Sequence, residues 1–167
     1  MKKVEHGKTF DRNAANPPAF EIFHNTVTEG YPEHWHTAIE IIMPTRGEYE
    51  VVVGKDSYNL KEGDIIMINS GVVHGMRFVS QGERIVMLVE PGCVENQEEM
   101  ETIFLRLPAI YFKKEDEEDP FYLFLRSQIL ELVREYDNEG AVMTHRICTG
   151  LKELFSEFGR KGFSDAN

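Results

Sequence analysis

The sequence has few cysteines and no long apolar run. Only Cys93 and Cys148 occur in 167 residues, and they form no CxxC pair. A disulfide framework or a thiolate zinc site needs more cysteines than this, so both are excluded, and the composition fits a reducing cytoplasm. The longest apolar runs, Ile85–Val89 and Phe121–Leu125, are five residues long. Because a membrane-spanning helix needs about 20 apolar residues, the sequence predicts no membrane partner.

Positive charge is also scarce. The chain has 18 basic and 29 acidic side chains, for a net charge of −11. Residues 90–120 alone contain ten acidic and three basic residues. Since affinity for nucleic acids depends on clustered Lys and Arg that neutralise phosphates, this acidic stretch is a poor candidate for binding them.

The composition is otherwise that of one globular domain. Apolar residues make up 41% of the chain and aromatic residues 11%, as in ordinary folded proteins. At about 150 residues per domain, the length predicts a single core. Residues 1–18 are polar and end in two prolines, so we expect them to form an N-terminal arm.

Two halves of the chain differ in their apolar period. From Ala19 to Glu90, short β-rich runs alternate with turn signals about ten residues apart, which is typical of an all-β sandwich or barrel. Residues 94–106 are predicted to be a short helix, and Lys113–Asp119 a charged surface loop. Beyond Pro120 the spacing becomes helical and predicts a hairpin of two helices. Its apolar stripes are Tyr122, Leu125, Ile129, Leu132, Val133 and Tyr136, then Met143, Ile147, Leu151, Leu154, Phe155 and Phe158.

The candidate metal ligands lie in the β-rich half. His34, His36 and Glu40 occupy even positions, so on one strand their side chains share a face. On a straight strand Glu40 would lie about 13 Å from His36, and the segment has to bend for the two to meet. His74 is a fourth candidate that a neighbouring strand can supply. Trp35 falls on the opposite face, where we expect it to pack.

The residues between His34 and His74 resemble the two sequence motifs of a known family, the cupins. The first cupin motif is matched by His34-x-His36-x₃-Glu40-x₆-Gly47. The second is matched by Gly63-x₇-Gly71-x₂-His74. The departures from the two motifs are Thr28 in place of Gly, Asn69 in place of Pro and Phe78 in place of Asn. All four metal-ligand positions are nevertheless filled.

The cupin resemblance implies a mainly β fold, a double-stranded β-helix or jelly-roll barrel, which the helical spacing beyond Pro120 extends with a C-terminal α-helical hairpin. The expected divisions are an arm at 1–18, the cupin barrel at 19–92, and a linker with the C-terminal helices at 93–167. The resemblance also implies that His34, His36, Glu40 and His74 bind a divalent transition metal, and such nitrogen and oxygen ligands suit Zn, Ni, Fe or Mn. The alternative is a barrel that keeps these side chains but binds an organic effector without metal.

A narrower resemblance covers nearly the whole chain. The order of barrel, acidic linker and two amphipathic helices, with the phrase at residues 60–74, is similar to the effector-binding and dimerisation half of AraC-type transcription regulators. This implies a small-molecule effector, for which a sugar or small organic acid is our expectation. It implies DNA contact only through a C-terminal domain, which residues 141–167, one helix and a polar tail, do not supply. The alternatives are a metal-dependent cupin isomerase, dioxygenase or hydrolase, and a metabolite-binding module. No catalytic residue is assigned.

The helices also lead us to expect a homodimer. Surplus apolar residues flank both stripes: Phe121, Leu123, Phe124, Val142 and Cys148. Such surplus surface favours a self-complementary contact between two copies, which Leu151→Glu or Phe155→Glu would then disrupt. The competing interpretation is that both stripes cover the barrel within one chain.

Overall fold

The computed structural model describes residues 19–27, 29–93, 107–116, 118–138, 140 and 142–161. The predicted arm at 1–18 and the predicted helix at 94–106 lie outside these ranges. Within them the chain forms strands, two short 3₁₀ turns (Pro91–Cys93 and Lys114–Asp116) and two α-helices. The strands are β1 (Phe20–Val27), β2 (Tyr31–His34), β3 (Ile39–Arg46), β4 (Tyr49–Val53), β5 (Asp56–Leu60), β6 (Ile65–Ile68), β7 (His74–Phe78), β8 (Gly82–Val89) and β9 (Ala109–Phe112). The helices are α1 (Pro120–Asp137) and α2 (Met143–Lys161).

The strands form two antiparallel sheets that enclose an apolar interior. One sheet has the order β1-β8-β3-β6-β9 and the other β2-β7-β4-β5. Side chains from both sheets meet in one buried cluster: Ala38, Ile42, Tyr49, Val51, Val53, Leu60, Ile66, Ile68, Met76, Val86 and Leu88. The predicted mainly β fold followed by a helical hairpin is therefore confirmed.

Strand β3 is buried on both faces. Ile42 points into the barrel, whereas Ile39, Ile41 and Met43 belong to a second cluster that includes the helices. This alternation follows from the period of two in a strand, with the two helices covering the outer face of the larger sheet. Double burial explains why residues 39–43 are all apolar except for Glu40.

The two helices begin and end close to where the sequence predicts. Asp119 caps α1, and its carboxylate accepts a 2.8 Å hydrogen bond from the backbone N of Phe121. Neither α-helix of the described part is long and apolar enough to cross a bilayer.

The helical stripes are buried against the barrel within one chain. Leu151 is 0% exposed and Phe155 is 1% exposed, and both lie in the cluster that joins the helices to the larger sheet. Substituting either one would damage this core, so the two variants that we expected to disrupt a dimer cannot report on dimerisation. The competing interpretation, packing within one chain, accounts for both stripes.

The sequence did not predict β9. Ala109–Phe112 pairs with β6, so the larger sheet continues beyond residue 92, where we expected the barrel to end. Its four residues are too few to show a clear alternation, and a proline and a charged segment flank them.

A buried carboxylate fastens β9 to the barrel at the turn between β5 and β6. Asp64 is 4% exposed and accepts hydrogen bonds from the backbone N of Lys61 at 2.9 Å, the backbone N of Lys114 at 2.8 Å and the hydroxyl of Tyr111 at 2.6 Å. Next to it, Gly63 has a φ of +87°, and an added Cβ would lie 2.8 Å from the Lys114 side chain. This part of the second motif therefore has a structural role.

We expect Asp64→Ala to lower the free energy of unfolding by about 1–3 kcal/mol, because three part-buried donors lose the acceptor that the buried carboxylate provides. Urea denaturation would measure the change as a lower midpoint at constant slope. The matched control is Glu62→Ala, two residues away and exposed, which should change stability by less than about 0.5 kcal/mol. An Asp64→Ala protein with the wild-type midpoint would contradict this role of the carboxylate.

Candidate metal centre

The candidate ligands come from both sheets, and the chain crosses between the sheets in their midst. Strand β2 ends at His34 in the smaller sheet, and β3 begins at Ile39 in the larger one. The single strand that the sequence predicts through residues 34–40 is therefore interrupted. The crossing folds Glu40 back towards the histidines, which removes the separation of about 13 Å expected for a straight strand.

Pairing of β2 with β7 brings in the fourth residue. His34 lies opposite His74 in the register, and Tyr31 lies opposite Met76, so a bulge separates the two pairs. The bulge places Tyr31 and His34 on one face although they are three residues apart. Their ring centroids are 4.7 Å apart, and those of His34 and His74 are 4.4 Å apart.

The structure brings together all four residues that the sequence singled out as ligands. One ligand atom from each of His34, His36, Glu40 and His74 lies within 4.8 Å of the others. His36, Glu40 and His74 are buried, at 5%, 8% and 3% exposure, whereas His34 is half-buried and lies towards the solvent. The group is therefore small enough to hold one ion.

Backbone carbonyls orient all three imidazoles in the same way. The Nδ1 atoms of His34, His36 and His74 lie 3.0, 2.9 and 2.8 Å from the carbonyl oxygens of Pro32, Ala38 and Val72. A carbonyl only accepts, so each Nδ1 carries the proton and donates it. The lone pair of a neutral ring is then on Nε2, as in histidines that bind metals.

Because the imidazoles are oriented in this way, the carboxylate of Glu40 and two ring nitrogens need positive charge between them. The Nε2 atoms of His36 and His74 each lie 3.0 Å from the same oxygen, Oε2 of Glu40. In neutral rings, both nitrogens would present lone pairs to a carboxylate oxygen that is itself an acceptor. Only a proton on the ring or a cation between the groups resolves the repulsion. Three imidazoles and a carboxylate form a donor set that suits Zn, Ni, Fe or Mn, so the residues fit such an ion.

The pKa values follow from this arrangement. Burial alone would raise the pKa of Glu40, but the contacts and the positive charge that His36 and His74 can present to its carboxylate outweigh burial and hold the pKa well below the usual range. Burial also works to lower the pKa of His74, yet the hydrogen bond and charge of Glu40 raise it above its ordinary value. Burial and the nearby His74 lower the pKa of His34. Metal-free protein thus favours a proton on His74, and a metal ion would displace that proton.

Three nearby residues differ from the expectation or were not anticipated. Trp35 is 54% exposed, so the prediction that it packs is wrong, because residue 35 begins the crossing and has left the pleat of β2. The sequence did not indicate that Tyr31 lies beside His34, because the alternation of side chains along a regular strand does not reveal a bulge. Arg84 escaped notice too, although it alternates with Val86 and Leu88, two interior residues of β8. The sequence did contain a signal: a charged residue stands where the alternation of β8 predicts an interior apolar residue.

Comparison with known proteins identifies the barrel. Residues 25–90 match the family described as Cupin domain. These residues form a cupin domain. A comparison with curated protein sequences gives no match.

Solved structures resemble the cupin domain and, in two cases, much more of the chain. Apo ToxT K231A from Vibrio cholerae strain SCE256 has a TM-score of 0.57 at 11% identity, covering 87% of this chain and 58% of that chain. Unsaturated fatty acid bound wild-type ToxT from the same strain has a TM-score of 0.53 at 13% identity, covering 87% and 55%. Protein NMB1881 from Neisseria meningitidis has a TM-score of 0.40 at 17% identity, covering 45% and 78%. The chain thus spans a little over half the length of ToxT. The shared feature is the fold, and 87% coverage extends beyond the cupin domain into the C-terminal region.

The raised pKa of His74 predicts how the stability of metal-free protein depends on pH. Folding stabilises the protonated ring, so this contribution is complete below about pH 6.5, the ordinary value for histidine, and is lost as the pH rises through the raised pKa. In EDTA, the thermal midpoint of the wild type should therefore fall as the pH rises above about 6.5. His74→Gln should flatten this dependence, whereas His145→Gln, at an exposed histidine of α2, should keep it. Equal slopes for wild type and His74→Gln would contradict the assignment.

Proposed function

We propose that this chain is the ligand-sensing and dimerisation domain of an AraC-type transcription regulator, with a metal ion in its cupin barrel. The observation that carries the metal site is the convergence of four ligand atoms within 4.8 Å, three of them on imidazoles oriented by backbone carbonyls. The ion would be Zn, Ni, Fe or Mn, held by His34, His36, Glu40 and His74. When bound, it supplies positive charge and open coordination positions for an effector.

The regulator role draws its support from the region after the barrel. The likeness to ToxT, an AraC-family protein, covers 87% of the chain and so includes elements that a minimal cupin does not need. One ToxT structure is bound to an unsaturated fatty acid, which is consistent with a small-molecule effector in this fold. The net charge of −11 argues that contact with DNA belongs to a separate domain. We assign the protein to the cytoplasm.

Self-association through the C-terminal helices remains part of the proposal, but on their outer surfaces. Leu123 of α1 and Val142 before α2 are 50% and 55% exposed, whereas the stripes are buried. A light-scattering mass equal to that of the 19.3 kDa chain at high concentration would contradict it.

A metal-dependent enzyme is the second candidate. The observation that favours it is the half-buried His34, which leaves one side of the site open to solvent and to a substrate. The two functions differ in the fate of the bound molecule. A small molecule that raises the thermal midpoint and is recovered unchanged by NMR supports a sensor, whereas a converted molecule supports an enzyme.

Metal analysis tests the proposed centre. Protein purified without chelator or nickel resin should contain up to one equivalent of Zn, Ni, Fe or Mn. His36→Ala and His74→Ala should each weaken binding at least tenfold, because each removes a ligand. The matched control is His145→Ala on the exposed face of α2, which should bind as the wild type does.

Adding metal should also raise the stability of the wild type, by about 2.7 kcal/mol at a concentration one hundred times the dissociation constant. Ligand variants that bind metal as tightly as the wild type would contradict the proposed centre, as would a wild-type protein that binds none.

A further inference from the structure

Arg84 places a cation inside the barrel. It lies in β8, where Val86 and Leu88 point into the interior cluster, and a period of two sends Arg84 to the same face. Its contacts agree with this position. The guanidinium nitrogen Nη1 contacts Sδ of Met76, which is 7% exposed. The guanidinium carbon lies 6.0 Å from the ring centre of Tyr49, which is fully buried.

The Arg84 guanidinium forms no ion pair with the residues that the structure describes. Its Nε donates a 3.3 Å hydrogen bond to Oδ1 of Asn25, and both Asn25 and Met76 are uncharged. No carboxylate of the described residues lies within the 4.0 Å of an ion pair. Burial lowers the pKa of Arg84, as expected for a charge withdrawn from water, and the more distant charge of Glu40, the carboxylate of the candidate metal centre, works in the opposite direction.

The exposed arginines of the barrel show the opposite arrangement. Arg46 is 3.1 Å from a carboxylate oxygen of Glu83, and Arg77 is 3.1 Å from one of Glu50. Among the described residues, these two exposed arginines are thus paired, whereas Arg84 has no carboxylate at ion-pair distance and only the longer-range charge of Glu40. A buried charge is costly unless it is paired, and a guanidinium has five N–H donors of which few are used here. An anion that entered the barrel would satisfy both the charge and the donors.

The metal centre and Arg84 face the same interior. Glu40 lies opposite Leu88 in the register, and Arg84 is four residues from Leu88, about 13 Å along β8. Tyr31 bridges part of this distance, since its ring lies against His34 and its backbone lies opposite Met76, which Arg84 contacts. A divalent ion with three neutral imidazoles and one carboxylate keeps one net positive charge. Together with Arg84, it would make the interior attractive to an anion.

We propose that Arg84 binds the carboxylate of a small organic acid inside the barrel, with the rest of that molecule directed towards the metal centre. This inference rests on the proposed effector-binding function and names the chemical class of the effector. A guanidinium suits a carboxylate because it donates two parallel hydrogen bonds to it.

The test compares carboxylates with their uncharged amides. Succinate and octanoate, with succinamide and octanamide as controls, are added at constant ionic strength, and the thermal midpoint is recorded for metal-loaded and for EDTA-treated protein. At least one carboxylate should raise the midpoint of the wild type, and its amide should not. Arg84→Met should need at least ten times more carboxylate for the same rise in midpoint, and Arg84→Lys should fall between Arg84→Met and the wild type. Arg77→Met, at the exposed arginine of β7, should behave as the wild type does.

Arg84→Met also has an expectation without ligand. Because it replaces a half-buried charge that has no ion pair among the described residues with an apolar side chain, its midpoint should equal or exceed that of the wild type. A destabilised Arg84→Met protein would assign Arg84 a structural role and overturn the inference. A wild type that responds to neither carboxylate, or an Arg84→Met protein that responds fully, would overturn it as well.

The outcomes separate this inference from the proposed function. Carboxylate binding that depends on Arg84 in a protein that binds no metal would support Arg84 and contradict the metal centre. A metal-loaded protein stabilised by arabinose or glucose and not by the carboxylates would support the effector-binding function and contradict the role of Arg84.

Discussion

Three imidazoles that donate their Nδ1 protons to the backbone set the chemistry of this barrel. When the rings are neutral and Nδ1 carries the proton, the Nε2 lone pairs of His36 and His74 face the Glu40 carboxylate at 3.0 Å. Acceptors this close repel one another, and burial removes the water that would screen them. Positive charge therefore stabilises the interior at this point, as a proton on His74 in metal-free protein or as a transition metal ion, which the donor set suits.

The fold supplies the rigidity that this arrangement needs. Glu40 lies on β3, whose outer face packs against the helices through Ile39, Ile41 and Met43. Both faces of the strand are buried, so the carboxylate has little freedom to turn away from the imidazoles. The helical hairpin thus supports the candidate metal centre from behind the sheet, and the Asp64 turn ties β9 and the approach to α1 to the same layer.

Much of the fold could be predicted because it depends on local patterns. Turn signals every ten residues indicated the barrel, and the period of the apolar residues after Pro120 indicated both helices. The four candidate ligands followed from motif spacing. The bent path that joins them did not, because a period of two describes one strand in one sheet, whereas residues 35–38 cross between sheets. The same crossing explains why Trp35 is exposed.

The features that escaped prediction depend on long-range contacts. Strand β9 forms because the edge of β6 is open for pairing. The sequence of its four residues alone does not indicate that this edge is available. The partners of the helical stripes could not be chosen from the sequence, since a barrel face and a second chain both bury an apolar stripe. Arg84 became informative only when the structure described its neighbours, because the lack of an ion pair with the described residues is a property of packing and not of sequence.

X-ray absorption spectroscopy of the metal-loaded protein tests the central claim most directly, that these four side chains share one ion. The account predicts a first shell of nitrogen and oxygen with outer-shell scattering from three imidazoles, falling to two in His74→Ala. A first shell of water oxygens without imidazole scattering, or a spectrum unchanged in His74→Ala, would contradict it.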